Sequence, residues 1–371
     1  MFDIEANLRE ISMAGPPRGC RDEDMLRLID LCPFLASEKS QYNDISVLSL
    51  LRQNPQAACL QHPYRCGIGN THPLALVVAL GASLEVVQLM VHACPEALEE
   101  KLSGRRSVLH YAIAEGVNVE IIQYLTSQNP SLVSEVDSFQ AIPLHLASTY
   151  PSSSPSVLRH LLHIHPEGAK SLDHKSQSPL HRACRSRVSL EKVQALIEAN
   201  PEALFWNDSN KTTPLGWADR MDRRLSDPIP EVVEILGMME DILRFGASGE
   251  GSDESGNYNG EEDEDSDMNN GKCHRAQQIL VHFRSIQWWD GIRLAFARNI
   301  KLVSFLNVPI GLLPDMLSLL GVNASRCFHS NGKSEEEEST LKCSVESLFS
   351  VLVQCPDIVG STRKSDDTRI S

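Results

Sequence analysis

The chain of 371 residues is long enough for two ordinary domains or one extended array. Hydrophobic residues make up 42% and charged residues 22%, the balance of a folded protein, and only 5% are aromatic, which favours helices packed on helices. The net charge of −15 argues against nucleic acid as a partner; nine of the acids lie between Glu250 and Asp267, which leaves −6 on the rest.

The opening stretch, MFDIEANLRE, has neither a basic nor an apolar targeting segment, so no secretory signal is expected. The ten cysteines are scattered without a C-x-x-C, which predicts reduced thiols and a cytoplasmic or nuclear protein. Residues 1–70 read as divergent helical repeats that cap the N-terminal end of an array. DEDMLRLIDLCPFLA (22–36) and DISVLSLLRQNPQAACL (44–60) each give an amphipathic helix closed by a proline, Pro33 and Pro55.

From residue 71 the pattern repeats. Five segments align, beginning at His72 (HPLALVVAL), Ser107 (SVLHYAIAEG), Ile142 (IPLHLASTY), Ser178 (SPLHRACRS) and Thr213 (TPLGWADRM), in steps of 35, 35, 36 and 35 residues. Between them Pro95, Pro130, Pro166 and Pro201 keep steps of 35, 36 and 35. Two markers on one period define internal repeats. In a unit such as the fourth or fifth, Ser178 or Thr213 caps a short helix and proline takes its first position, where no donor is lost. A second helix carries apolar residues at i, i+3 and i+7, as in Leu190, Val193 and Ile197, and the next proline stops it. Helix pairs this short bury their stripe only by stacking.

The elements VLHYA, IPLHLA, SPLHRA and TPLGWA, with LEVVQLM-type second helices, resemble the T-P-L-H-x-A pattern of the ankyrin-repeat family over residues 71–246. The longer period is like that of protist ankyrin-like proteins. The family's D-x-x-G turn is missing, although Asp137, Asp173 and Asp208 stand where its aspartate is expected, and Ala75 and Gly216 replace the histidine in the first and last units. The resemblance implies an all-α, ankyrin-like helical-repeat solenoid of about five units. It also implies that His110, His145 and His181 bond the backbone of neighbouring repeats, and that a protein partner binds across the hairpin tips and first helices. The tip positions include Arg105, Arg106, Phe139, Gln140, His174, Lys175, Asn210 and Lys211; the helix positions include Tyr111, Glu115, Arg182, Arg185, Arg187 and Arg220, with Arg223 and Arg224 beyond.

Residues 247–271, rich in Gly, Ser, Asn and acid, are expected to be a disordered linker. Residues 272–360 are expected to form a helical C-terminal extension with a disordered loop near 330–340, followed by a disordered tail over 361–371. LVSFLNVPIGLLPDMLSLLG (302–321) contains Asn307, two prolines and Asp315, so it reads as buried helix and not as a membrane span. QWWDGIRLAFAR resembles a calmodulin target, and NVPIGLLPDMLSLL the proline-leucine end of a SOCS box.

No catalytic, phosphate-binding or zinc-enzyme motif is present. His160, His163 and His165 lie close together in sequence, but no further ligand completes a set, so no metal or cofactor is expected. The sequence therefore predicts a monomeric, non-catalytic protein–protein interaction scaffold that binds a protein partner, with no membrane or nucleic-acid partner. The alternative is an adaptor that recruits a ubiquitin-ligase component or a calmodulin-like protein through its C-terminal helices.

Overall fold

The computed structural model describes residues 22–33, 35–64, 69–186, 188–222, 230–247, 274–276, 278–283 and 285–298. These residues are predominantly helical, and they belong to two compact units that divide after Val233. The division falls within a helix. The predicted linker beyond residue 247, the helices after residue 300, Arg187, Arg223 and Arg224 lie outside the described residues.

In the first unit, α1 (Asp22–Ile29), α2 (Ala36–Lys39) and α3 (Asp44–Gln53) precede an antiparallel hairpin, β1 (His62–Tyr64) and β2 (Gly69–Thr71), with His62 opposite Thr71. Helix pairs succeed it at the predicted period: α4 (Pro73–Leu80) with α5 (Leu84–Ala93), α6 (Val108–Ala114) with α7 (Val119–Gln128), and α8 (Pro143–Thr149) with α9 (Pro155–Ile164). Then come α10 (Pro179–Arg185) with α11 (Leu190–Ala199), and α12 (Pro214–Asp222). Each first helix packs on the next first helix, and each second helix on the next second helix. The repeat in sequence is thus a repeat in space. The hairpin departs from an all-helical chain, and no alternating apolar pattern announced its three-residue strands.

The proline that ends each second helix does more than stop it. Proline forces the residue before it out of the helical region, and Asn54, Cys94, Asn129, His165 and Asn200 accordingly sit near φ −141, −141, −140, −134 and −149. A short 3-10 turn then runs from the proline: Pro55–Cys59, Pro95–Leu98, Pro130–Ser134, Pro166–Lys170 and Pro201–Phe205. Each turn buries two residues, such as Ala97 with Leu98, Leu132 with Val133, or Ala203 with Leu204. The linker between units is therefore part of the core, and its apolar burial helps to hold each unit to the next.

The ends of the first helices close in two ways. After α4 and α6 stand Gly81 (φ 92) and Gly116 (φ 69), in the left-handed region that glycine alone enters freely. There Ala82 N–H donates to Val77 O (3.0 Å) and Val117 N–H to Ala112 O (3.1 Å). After α8 the corresponding residue is Pro151, which has no N–H to offer. Lys192, only 2% exposed, reaches over from α11, and its Nζ donates to Ala147 O and Tyr150 O, both at 2.9 Å. A cation at a helix C-terminus also suits the helix dipole. Burial pushes this ammonium down to about 8.

Helix α13 (Pro230–Ala247) carries its first turn in the first unit and the rest in the second. In the second unit its apolar stripe, Ile235, Leu236, Met239 and Ile242, is buried, and Arg275 pairs with Asp241 at 3.4 Å. Helical backbone at 274–276 and 278–283 precedes α14 (Trp289–Arg298). Trp288, 5% exposed, packs edge-on against Phe283 with ring centroids 4.9 Å apart. A Cβ on Gly291 would meet the indole at 2.6 Å, so this glycine is what lets the tryptophan in. No helix among the described residues is long and apolar enough to cross a membrane.

Candidate partner-binding face

The repeated histidines form a seam between units. Ser107 N–H donates to His110 Nδ1 (3.2 Å), Ile142 N–H to His145 Nδ1 (3.3 Å), and Ser178 N–H to His181 Nδ1 (3.3 Å). On the other side of each ring, Nε2 faces the next unit: Ala141 O, Gln177 O and Trp206 O, each at 3.1 Å. An amide N–H only donates and a carbonyl only accepts, so the proton of each ring sits on Nε2. All three rings are fully buried. Burial lowers the basicity of all three, and His145, which also faces Arg182, falls to about 4.

Ser107 Oγ and Ser178 Oγ lie 2.8 Å from the Nδ1 of His110 and His181, the spacing of a nucleophile and its base. Both serines are fully buried at helix N-caps, and both histidines are committed to carbonyls, so no substrate reaches them. Cys184 is likewise buried, which pushes its thiol up and away from reactivity.

The tips repeat as closely. Asp137 Oδ1 accepts from Phe139 N–H (2.8 Å) and Ala141 N–H (2.9 Å). Asp173 does the same for Lys175 and Gln177, and Asp208 for Asn210 and Thr212. Three residues after each aspartate the backbone turns left-handed, at Gln140 (φ 56), Ser176 (φ 54) and Lys211 (φ 55). These are the glycine positions of a D-x-x-G turn, filled here by long or polar side chains. Tips are strung together by Ser138 N–H to Gly104 O (2.7 Å), His174 N–H to Phe139 O (3.0 Å) and Ser209 N–H to Lys175 O (3.0 Å).

On this frame the predicted contact residues separate. Tyr111 is 6% exposed and lies in the core, with the Arg106 guanidinium 6.0 Å from its ring centre, so it offers little surface. Arg182 is bound to buried Asp173 through Nε (2.8 Å) and Nη2 (2.6 Å), so it clamps its own tip to α10. Both are structural where the sequence placed them on the open face. Arg105, Gln140, Lys175, Asn210 and Lys211 are exposed along the tips. Phe139 is 50% exposed, its ring 5.2 Å from that of exposed His174.

Trp217 joins the later tips to the first helices. Its Nε1–H donates to Asp208 Oδ2 (2.9 Å), and two exposed arginines flank its ring: Arg185 at 5.4 Å and Arg220 at 5.0 Å from the ring centre. Cation–π contact of this kind holds a guanidinium in place while leaving its edge open to solvent. Gln177, 1% exposed, connects the parts: its side chain donates to Asp208 Oδ2 (2.8 Å), and its carbonyl receives His145. Burial would raise the Asp208 carboxyl, but bonds from Gln177, Trp217 and two amides hold it down at about 2. Neither Gln177 nor Trp217 stands out in the sequence. Lys192 escapes it too, although a lysine where other units have Val86, Ile121 and Val157 is a visible break in pattern.

His160, His163 and His165 do not converge: His160 Nε2 instead meets Thr126 Oγ1 at 3.0 Å. Among the described residues, one trio of metal-ligating side chains does converge, Cys59, Cys94 and Glu96. No protein-family model matches the chain, and no curated protein matches it.

Proposed function

We propose that this chain is a non-catalytic interaction scaffold of ankyrin type, a solenoid that presents its tips and first helices to a protein partner. The observation that carries this reading is the split between recurring groups buried in the frame and exposed groups that differ from unit to unit. Histidines and aspartates that recur at the repeat period are spent on internal bonds, as are Arg182 and Gln177. The exposed side chains Phe139, Lys175, Arg185, Lys211 and Arg220 differ from unit to unit and share the row of tips and adjoining helices. An aromatic anchor and two oriented guanidiniums are the residue types that dominate protein interfaces. The arginine pair beside Trp217 favours a partner that brings carboxylates.

The adaptor reading, with docking through the C-terminal helices, has less behind it: Trp288, its most prominent anchor, is used inside its own unit. The test is a pull-down from cell extract with the full chain and with an Arg185→Glu/Arg220→Glu variant, both checked for equal urea midpoints. The reading expects the captured set to be lost with the variant. Retention of every captured protein, there and in a Phe139→Asp variant, refutes it.

A further inference from the structure

We propose that Cys59, Cys94 and Glu96 form a binding site for a thiophilic divalent cation of the zinc class. The Sγ atoms of the two cysteines and a carboxylate oxygen of Glu96 all lie within 4.8 Å of one another. Tetrahedral zinc holds thiolates at about 2.3 Å and carboxylate oxygen at about 2.0–2.2 Å, which sets such donors roughly 3.5–3.8 Å apart. Closing the trio onto an ion therefore needs shifts of about an ångström at most, within the reach of side-chain rotation.

The fold aims these donors from three backbone positions. Cys59 ends the first proline turn, which packs on α5; Cys94 ends α5; and Glu96 belongs to the second proline turn. Cys94 is held at φ −141 by the proline after it. The Cys59 thiol is oriented by donating to Ala93 O at 3.2 Å. Burial is graded across the trio: Cys94 is 1% exposed, Cys59 is half-buried and Glu96 is exposed. An ion enters from the Glu96 side, where a fourth position stays open to water.

The repeat does not call for these thiols. Where Cys94 stands, other units have Asn54, Asn129, His165 and Asn200; where Cys59 stands, they have Glu99, Ser134, Lys170 and Phe205. On binding, each sulfur gives up one proton to solvent and forms one bond to the metal, while Glu96 adds its carboxylate oxygen.

The test uses the reduced full chain, stripped with a chelator, and titrates Co2+ while following the thiolate-to-cobalt charge-transfer band. Zn2+ affinity is then measured by competition with a chromophoric chelator at several pH values. The proposal expects one cobalt per chain, roughly half the band in Cys59→Ser, and zinc affinity reduced about tenfold or more in that variant and in Glu96→Gln. Affinity should rise with pH as the two protons are released. Cys59 and Glu96 are not fully buried, so these variants keep the fold; Cys94→Ser is secondary. The proposal is overturned if the full chain shows no band, if Cys59→Ser leaves it unchanged, or if a Cys59–Cys94 disulfide forms on air exposure while the reduced chain takes up no cobalt.

Discussion

The units beginning at His72 and Ser107 and the unit beginning at Ile142 meet the same need at the end of their first helix, and they meet it with different chemistry. In the earlier two a left-handed glycine turns the chain so that backbone amides reach the open carbonyls. In the third, Pro151 removes that possibility, and the ammonium of Lys192, from the following unit, takes the place of the amide. The tips do not share this division, since carboxylates serve throughout: Glu100 accepts from His72 N–H (3.0 Å) at the first hairpin, and buried Asp137, Asp173 and Asp208 hold the later ones. Backbone caps are local to one unit and indifferent to pH. Side-chain caps reach between units and carry charge, so the later part of the array is the more coupled and the more easily perturbed.

Lys192→Ala should show the largest effect. It leaves Ala147 O without a donor and opens a cavity along the buried lysine stem, for a loss of about 4 kcal/mol in urea unfolding of the full chain. Adding Pro151→Gly restores an N–H and a left-handed option, as at Gly116, and should recover part of that loss. A double variant no more stable than Lys192→Ala alone would show that the lysine is not a cap.

How much of this is visible in the sequence depends on the range of each interaction. The role of the histidines is an expectation carried by the resemblance to the T-P-L-H-x-A element, whereas the period and the helix pairs come from spacing alone, because they repeat and need only local chemistry. The 3-10 turns after each proline do not, since four or five residues are too few to show a helical period. The resemblance puts Arg182 and Tyr111 on the face, and a helical pattern does not reveal that Asp173, nine residues back, folds onto Arg182. The Gln177–Asp208–Trp217 network is hidden for the same reason: its members are 31 and 9 residues apart.

Acid should separate the two regions next. A buried histidine that resists protonation contributes stability above its ordinary value near 6.5, and this stability is lost as pH falls towards its folded value. For His145, at about 4, the loss is about 3 kcal/mol by the bottom of that window. Its mechanism is local: a proton on Nδ1 would face the Ile142 N–H, donor against donor. His110 and His181 act in the same direction, whereas the first unit has Ala75 at this position. Hydrogen exchange between pH 7 and pH 4.5 should therefore show residues 142–149 and 178–185 losing protection before 73–93. Uniform loss across all units would contradict the division.

Lys211→Gly should have the smallest effect and the opposite sign. Lys211 holds φ 55 because Asp208 fixes the loop around it through two amides, and a side chain there is strained where glycine is not. Replacing it should stabilise the chain by about 1 kcal/mol, read as a higher urea midpoint at unchanged slope. In the proposed scaffold, Lys211 is kept in this costly conformation for what its side chain meets. The same variant should then bind a partner captured by the full chain more weakly while folding more stably, a pair of opposite changes that a purely structural residue does not produce.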